Sequence, residues 1–396
     1  MKCRITKEKC KIFLDLGKMP LANGFIKKKD FRNEYFFSLK VAFCKSLKLV
    51  QLVSNPNPKK MFNKNYPFYT SSSNAMTKHF KEYANWIKKK YLRKNGSILE
   101  LGSNDGVFLK NFGKNNFSVG FEPSKSVHDV ALTKNIKSIN KFFNLKNIKN
   151  LIKKNIKFDV ITGSNVICHI PNQKDLIKSM IKLLSKDGTI IFEEPYLGAM
   201  YKKTSYDQLY DEHIYMFSAS SVKEIYKLHG LKLVDAIPQK THGGSLRYII
   251  KKDTNQKVSN RLKNILSYEK KNYVNSIKGC LNFKHEVHQS RIRLQKKIKI
   301  LKKNNYSLCG YGATSKSTTI LNFCNIGWND IDCIFDTTPY KIGKYSPGMH
   351  IPIMNYNKFS KKFYDFSFLF AWNHKKEIEK KEKKYLKSGG KWITHL

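Results

Sequence analysis

Arginine is scarce in this chain. Of 75 basic residues among 396, seven are Arg (positions 4, 32, 93, 247, 261, 291 and 293) and 68 are Lys. Acidic residues number only 29, which leaves a formal charge of +46. Proteins that read bases or clamp phosphates lean on arginine's planar fork, and here the lysines are spread along the whole sequence. The charge therefore reads as solvated surface that favours anionic small molecules, with no nucleic acid expected as a partner. No apolar run approaches the roughly 18 residues of a membrane span, so no membrane role is expected. Met1 to Lys7 lack the apolar stretch of a signal peptide. The eight cysteines form no dense framework, which points to a reduced, cytoplasmic setting. Also missing are G-x-G-x-x-G and the Walker spacing. The first absence argues against a dinucleotide-dependent dehydrogenase.

What is present begins with Ser97 to Gly106. An apolar strand, Ser97 to Leu101, leads into a glycine turn and the expected start of a helix at Val107-Phe108-Leu109-Lys110. In an α/β sheet such a strand end is where a nucleotide-like ligand sits. Glycine belongs where backbone must turn sharply or approach a ligand. Glu100, just before Gly102, would repel a pyrophosphate and welcome a cation. A second strand, Phe117 to Phe121, ends in Glu122, placed to accept hydrogen bonds from ribose hydroxyls. Further strands are expected at Phe158 to Thr162 and Thr189 to Phe192, with helices near 124–133 and 173–184. Strands alternating with helices argue a parallel sheet with right-handed crossovers. A cationic nucleoside with these contacts is S-adenosylmethionine. Its expected contacts are Glu100, Gly102, Ser103, Asn104, Asp105, Gly106, Glu122, Pro123 and Asn165.

The chain divides into a β-rich N-terminal module (1–85), a class I Rossmann-like methyltransferase domain (86–252), a helical connector (253–304) and a C-terminal Rossmann-like α/β domain (305–396). The connector's apolar spacing (Ile292, Leu294, Ile298, Leu301) reads as a partly buried helix. The last unit opens with a strand and Gly310-Tyr311-Gly312, followed by Thr314, Ser315, Lys316, Ser317 and Thr318. Hydroxyls, a helix start and one lysine make an anion site suited to a nucleotide diphosphate.

Candidate chemistry gathers at Tyr210-Asp211-Glu212-His213. A histidine beside a carboxylate can be a tuned general base, and a tyrosine hydroxyl can donate to a developing oxyanion. His169, following the strand that ends at the cofactor, is a second candidate to face a substrate oxygen.

Seven ordered segments carry a resemblance: Leu16 to Asn23, Tyr66 to Ser73, Glu100 to Gly106, Tyr210 to His213, Thr241 to Arg247, Gly310 to Ala313, and Ala371-Trp372-Asn373. The chain resembles the sugar C-methyltransferases that act on nucleotide-linked 4-keto-6-deoxyhexoses. That likeness implies His213 as base, with Glu212, Tyr210 and His169 close to the sugar; in the mechanism expected from these residues, Glu212 fixes the His213 tautomer. It implies a tyrosine of the first module, Tyr66 or Tyr69, reaching into the site. For the nucleotide sugar it implies Arg247, Gly310, Gly312, Thr314, Ser315, Lys316, Asp336, Trp372 and Asn373. The methyl group is expected on carbon 3, beside a C4 ketone.

The family's first module carries two C-x-x-C pairs. Here Thr6 and Leu47 stand where the partners of Cys3 and Cys44 would be, and Cys10 is wrongly spaced for a replacement. Structural zinc takes four ligands, so bound zinc is doubtful and no metal ligand is assigned. The rival readings are an RNA or DNA methyltransferase and a non-catalytic S-adenosylmethionine-binding scaffold. The first lacks an Asn/Asp-Pro-Pro-Tyr type of motif after the Phe158 strand. A monomer is compatible with everything the sequence shows.

Overall fold

A computed structural model describes residues 1–57, 61, 69–252 and 256–396. The chain opens with an antiparallel meander, β1 (Lys11–Pro20), β2 (Phe36–Cys44) and β3 (Leu49–Leu52). Its alternating residues Phe13, Leu39, Val41, Val50 and Leu52 are buried together.

A long helix, Asn74–Lys90, follows. It buries Phe80, Tyr83 and Ile87 against Ile98, Val160, Ile191 and Ile249 of the next sheet. The boundary expected at residue 85 thus falls inside a helix that already belongs to the second core. That sheet is built from β4 (Ser97–Leu101), β5 (Phe117–Phe121), β6 (Ser138–Ile139), β7 (Phe158–Ser164) and β8 (Leu184–Pro195). β9 (Tyr215–Met216) leaves it to pair with β3 of the first sheet. β10 (Leu231–Gln239) and β11 (Ser245–Lys252) return, antiparallel, to its edge. The strand order is β10-β11-β8-β7-β4-β5-β6. The chain runs outward from β4 through β5 and β6, then restarts at β7 on the other side of β4. That reversal opens a crevice at the carboxyl ends of β4 and β7, the general ligand position in such sheets. Apolar runs such as Ile98-Leu99 and Val160-Ile161 are fully covered on both faces, as a parallel sheet requires.

The α-helix expected to start at Val107 does not form. The Asn111 amide takes the carbonyls of Val107 and Phe108 at 3.0 and 2.9 Å, leaving a single 3-10 turn at Leu109–Asn111. The helices expected near 124–133 and 173–184 are present as Lys125–Thr133 and Gln173–Leu183.

The charged stretch after β11 is two helices, Asn260–Lys271 and Ile277–Lys303. The first is anchored by Glu269, which accepts from the backbone amides of Ala219 and Ser220 at 2.7 and 2.9 Å. The second buries Leu294, Ile298 and Leu301 while Ile292 points outward. Five parallel strands complete the chain: β12 (Leu308–Tyr311), β13 (Ile334–Asp336), β14 (Ile353–Asn355), β15 (Phe366–Leu369) and β16 (Lys391–Ile393). Their order, β14-β13-β12-β15-β16, places a second reversal beside β12. No helix among the described residues is long and apolar enough to cross a membrane.

Candidate active site

The two reversals face one cleft of about 1090 Å³, lined from the N-terminal module, the middle sheet and the C-terminal unit. One end of it is the turn after β4. Gly102 adopts φ +65°, and a Cβ there would stand 2.8 Å from Val166. Asn104 is left-handed too, with φ 47°. Its backbone amide donates to one oxygen of Glu122 at 3.0 Å, and the Ser124 amide donates to the other at 2.8 Å. Burial raises the Glu122 carboxyl despite those bonds. The Thr70 amide donates to the Asn104 side chain at 2.9 Å, so the segment after Tyr69 lies over the turn. Gly102, Asn104, Glu122, Pro123 and Asn165 line the cleft. Ser103, Asp105 and Gly106 shape the turn from beneath and do not reach it. Glu100 is buried behind the wall, and burial pushes its carboxyl well up, helped by the charges of Glu122 and Asp105. The glycine-lined turn, the backbone-held Glu122 and the adjoining apolar Phe121 and Phe143 fit a nucleoside.

Tyr210, Glu212 and His213 lie across the cleft. The His213 Nδ1 sits 2.7 Å from the carbonyl oxygen of Gln208. A carbonyl only accepts, so that nitrogen carries the proton and Nε2 is the free-base nitrogen. The Tyr210 hydroxyl donates to Nε2 at 2.8 Å. Burial is the main reason the His213 imidazole is pushed down to about 4, with the Lys316 charge adding to it. His169 stacks on His213 with ring centroids 5.3 Å apart, and burial drives it well below the usual histidine range.

Glu212 does not set the His213 tautomer, contrary to the sequence reading. Its carboxylate faces away and accepts from the Asn23 amide at 2.7 Å. Burial and the neighbouring Asp211 raise it. Asn23 in turn accepts from the Ser315 hydroxyl at 3.0 Å. Asp211 accepts from the Ala22 amide at 2.9 Å, and the Thr318 hydroxyl donates to the Ala22 carbonyl at 2.9 Å. The first module therefore clips the reactive centre to the last unit through two residues.

The third wall is the turn after β12. Thr314 caps the helix Ser315–Cys324 by accepting from the Ser317 amide. Gly312, Thr314, Ser315, Lys316, Asp336 and Asn373 line the cleft. Asp336 is already spoken for: it accepts from the Ala313 and Thr338 amides, both at 2.7 Å. It repeats, in the second unit, the role of Glu122 in the first. Lys316 reaches Asn373 at 3.3 Å, and Lys341 donates to the Ala313 carbonyl at 2.8 Å. Burial lowers both lysines, and an anion beside them would favour their charged forms.

Three residues expected at the substrate do other work. Arg247 pairs across the strands with Glu193; its guanidinium bonds that carboxylate at 2.6 to 2.7 Å and lies 3.9 Å from the Tyr83 ring centre. Trp372 turns its indole N–H to Asp207 at 2.6 Å. Gly310 is inside β12, packed on Ile334 and Phe370. Tyr69 lines the cleft, whereas Tyr66 lies outside the described residues.

Asn23, Gln208, His242 and Lys341 were missed from sequence. His242 is left-handed, with φ 52°, and its ring nitrogen meets the Asn165 amide inside the cleft. The Thr-His-Gly-Gly run around it was a usable signal. Gln208 acts through its carbonyl, for which no side chain gives a sign.

Three family models match in series. "Putative zinc binding domain" covers residues 3–62, "Methyltransferase domain" 75–236 and "C-methyltransferase C-terminal domain" 240–396. The C-methyltransferase NovU of Streptomyces niveus is 26% identical over 387 residues, 97% of this chain and 92% of that protein. Among solved structures, an S-adenosylmethionine-dependent methyltransferase from Clostridium acetobutylicum ATCC 824 aligns with 44% of this chain and 92% of its own, at 15% identity and TM-score 0.36. Magnesium protoporphyrin IX methyltransferase from Synechocystis PCC 6803 aligns with 45% and 79%, at 11% identity and TM-score 0.33. The chain thus carries, in order, a methyltransferase domain and a C-methyltransferase C-terminal domain, the make-up of an S-adenosylmethionine-dependent C-methyltransferase.

Proposed function

We propose that the protein methylates carbon 3 of a nucleotide-linked 4-keto-6-deoxyhexose, in the cytoplasm. The observation that carries this reading is the Tyr210–His213 pair, a base held neutral in the cleft shared by the Gly102 turn and the Lys316–Lys341 pair. In this reading residues 1–85 contribute Asn23 and Tyr69, 86–252 hold the cofactor, 253–304 connect, and 305–396 hold the nucleotide. The diphosphate lies between Lys316 and Lys341, with Ser315 and Asn373 beside it. Eight free, buried thiols suit a reducing compartment.

A carbon next to a ketone releases its proton because the charge moves to the oxygen. Tyr210 takes that proton while its own passes to His213 Nε2. The C–H bond breaks, an O–H and an N–H form, and the enolate is left facing an imidazolium. The Gln208 carbonyl holds the other nitrogen and stabilises that cation. His169 and Tyr69 face the same space and serve the enolate oxygen. When bound, S-adenosylmethionine supplies a methyl group on a positively charged sulfur. Glu122 and the Gly102–Asn104 turn fix the nucleoside so that the two reactants meet in one orientation. Such positioning contributes roughly 7–11 kcal/mol.

The test is incubation with S-adenosylmethionine and several nucleotide-4-keto-6-deoxyhexoses in deuterated water, read by mass spectrometry. One added methyl group and exchange of the proton beside the ketone are expected. Neither event on any of these sugars would refute the reading.

The pH profile offers a second check. Imidazole acts as base only when neutral, so activity is lost as pH falls through its pKa. Burial places that at about 4, well under the ordinary ~6.5. We expect kcat/KM to hold its value from pH 8 down to pH 5. A midpoint near pH 6.5 in a protein still folded would remove His213 from the role.

A further inference from the structure

Trp372 stands between two residues of the cleft wall, Ala371 and Asn373, yet is itself buried and does not line the cleft. Its indole N–H donates to Asp207 Oδ2 at 2.6 Å. Its ring carries Lys316 Nζ at 5.1 Å and Lys203 Nζ at 5.6 Å from the centroid. Lys203 is tied down by donating to the Gly243 carbonyl. Trp372 packs so closely on Gly243, at φ +83°, that no Cβ fits there. Asp207 is fully buried. Its other oxygen lies 3.3 Å from His395 Nε2, and the Ser290 hydroxyl donates to the His395 carbonyl at 2.7 Å. A buried carboxylate thus sits on one edge of an indole whose ring bears a cation of the cleft.

We propose that Asp207 and Trp372 are positioning residues that keep Lys316 charged at the cleft wall. The carboxylate accepts the indole proton and so polarises the ring, moving electron density from the N–H toward the face. A ring face attracts an ammonium, and indole does so best of the aromatic side chains. The counter-charge reaches Lys316 across the ring without a carboxylate entering the cleft, where it would repel an anionic ligand. Burial lowers Lys316; Asp207 opposes that, and Lys203 adds to it. Burial would likewise push Asp207 up, but His395, Lys316 and the indole bond hold it below the ordinary aspartate range. The other titratable groups in the field of Lys316 are His213, His242 and His374, whose charged forms it disfavours.

The role rests on the proposed function, in which Lys316 meets the substrate's diphosphate. Asn373 accepts from Lys316 at 3.3 Å and completes its seat, so Trp372 and Asn373 hold one lysine from neighbouring positions. Asp207 belongs to the short turn Tyr206–Gln208, whose last carbonyl holds the His213 ring. The lysine and the His213 anchor are therefore referred to one buried point.

The test is competitive labelling of the folded chain with trace acetic anhydride across an alkaline pH series, each lysine read by peptide mass spectrometry. The acylation midpoint of Lys316 reports its charge with no ligand present. D207N keeps the volume and an oxygen for the indole and removes only the charge. Its Lys316 midpoint should fall by about one pH unit, the ordinary effect of losing a nearby opposite charge. Lys341, which faces Asp336, should not move, and S-adenosylmethionine affinity should stay within a few-fold. If Asp207 served packing alone, the loosened site would admit water and the Lys316 midpoint would rise toward those of the exposed lysines. A rise, or no change, overturns the role. A second measurement needs no variant to fold. The chain has four tryptophans, so ¹⁵N-indole labelling gives four N–H resonances. One of them should shift with pH at the Lys316 midpoint, and four resonances indifferent to it would equally overturn the role. Labelling of wild-type Lys316 that inorganic pyrophosphate does not slow would instead refute the diphosphate placement of the proposed function, whatever the D207N midpoint.

Discussion

Replacing His213 by Asn is expected to lower kcat by about 10²–10⁴-fold, the usual contribution of a positioned base. The amide can still face the Gln208 carbonyl, but it offers no basic nitrogen to Tyr210. S-adenosylmethionine affinity, measured by calorimetry, should stay within a few-fold, because the Gly102 turn and Glu122 belong to a different wall of the cleft. Y210F should also lose turnover, since it removes the hydroxyl that bonds Nε2 at 2.8 Å. Wild-type turnover in H213N would end the assignment. Loss of both turnover and cofactor binding would point instead to collapse of the cleft.

The largest effect on stability is expected away from the chemistry. Arg247 is 6% exposed and Glu193 is 3% exposed. Removing one partner of a buried ion pair leaves the other charge stranded, at a cost of about 3–5 kcal/mol. R247A should therefore shift the first unfolding transition in urea by about that amount. His79, 2.6 Å from the other Glu193 oxygen, keeps the carboxylate from being wholly abandoned and sets the lower end of the range. R247K should recover little, because a lysine cannot both bond the carboxylate twice and stack on Tyr83 and Trp86. A stable R247A that fails to bind substrate would restore Arg247 to the site.

These two residues also show what a sequence can and cannot display. Ser97 to Gly106 was legible because an apolar run, a glycine turn and a strand-end carboxylate are local features. Tyr210 and His213 stood out as residues for the same reason, being three apart on one turn, but the bond between them did not. Arg247 was misread because its partner Glu193 is 54 residues away and meets it only through antiparallel pairing of β11 with β8. The role given to Glu212 failed against a backbone carbonyl, which every residue possesses and none advertises. Asp336, expected at the substrate, lines the cleft, but its oxygens serve the turn that carries them. Cys10 was discounted on linear spacing, although the tight loop of residues 3–10 folds it back on Cys3. The helix expected at Val107 gave way to side-chain bonds from Asn111.

The clip at Asn23 has a consequence for the order in which the molecule becomes competent. Asn23 and Ser315 touch across 292 positions of sequence. A growing chain emerges at about 5–20 residues per second, and its units fold largely in the order they appear. The crevice at β4 and β7 belongs to a sheet that ends with β11 at Lys252, so all of its strands precede Ser315 in the chain. Under the proposed function, the newborn polypeptide thus passes through a stage in which the donor's crevice is formed and the acceptor's wall is not. Separation in sequence becomes separation in time, and an activated donor meets its reaction partner only in a finished protein.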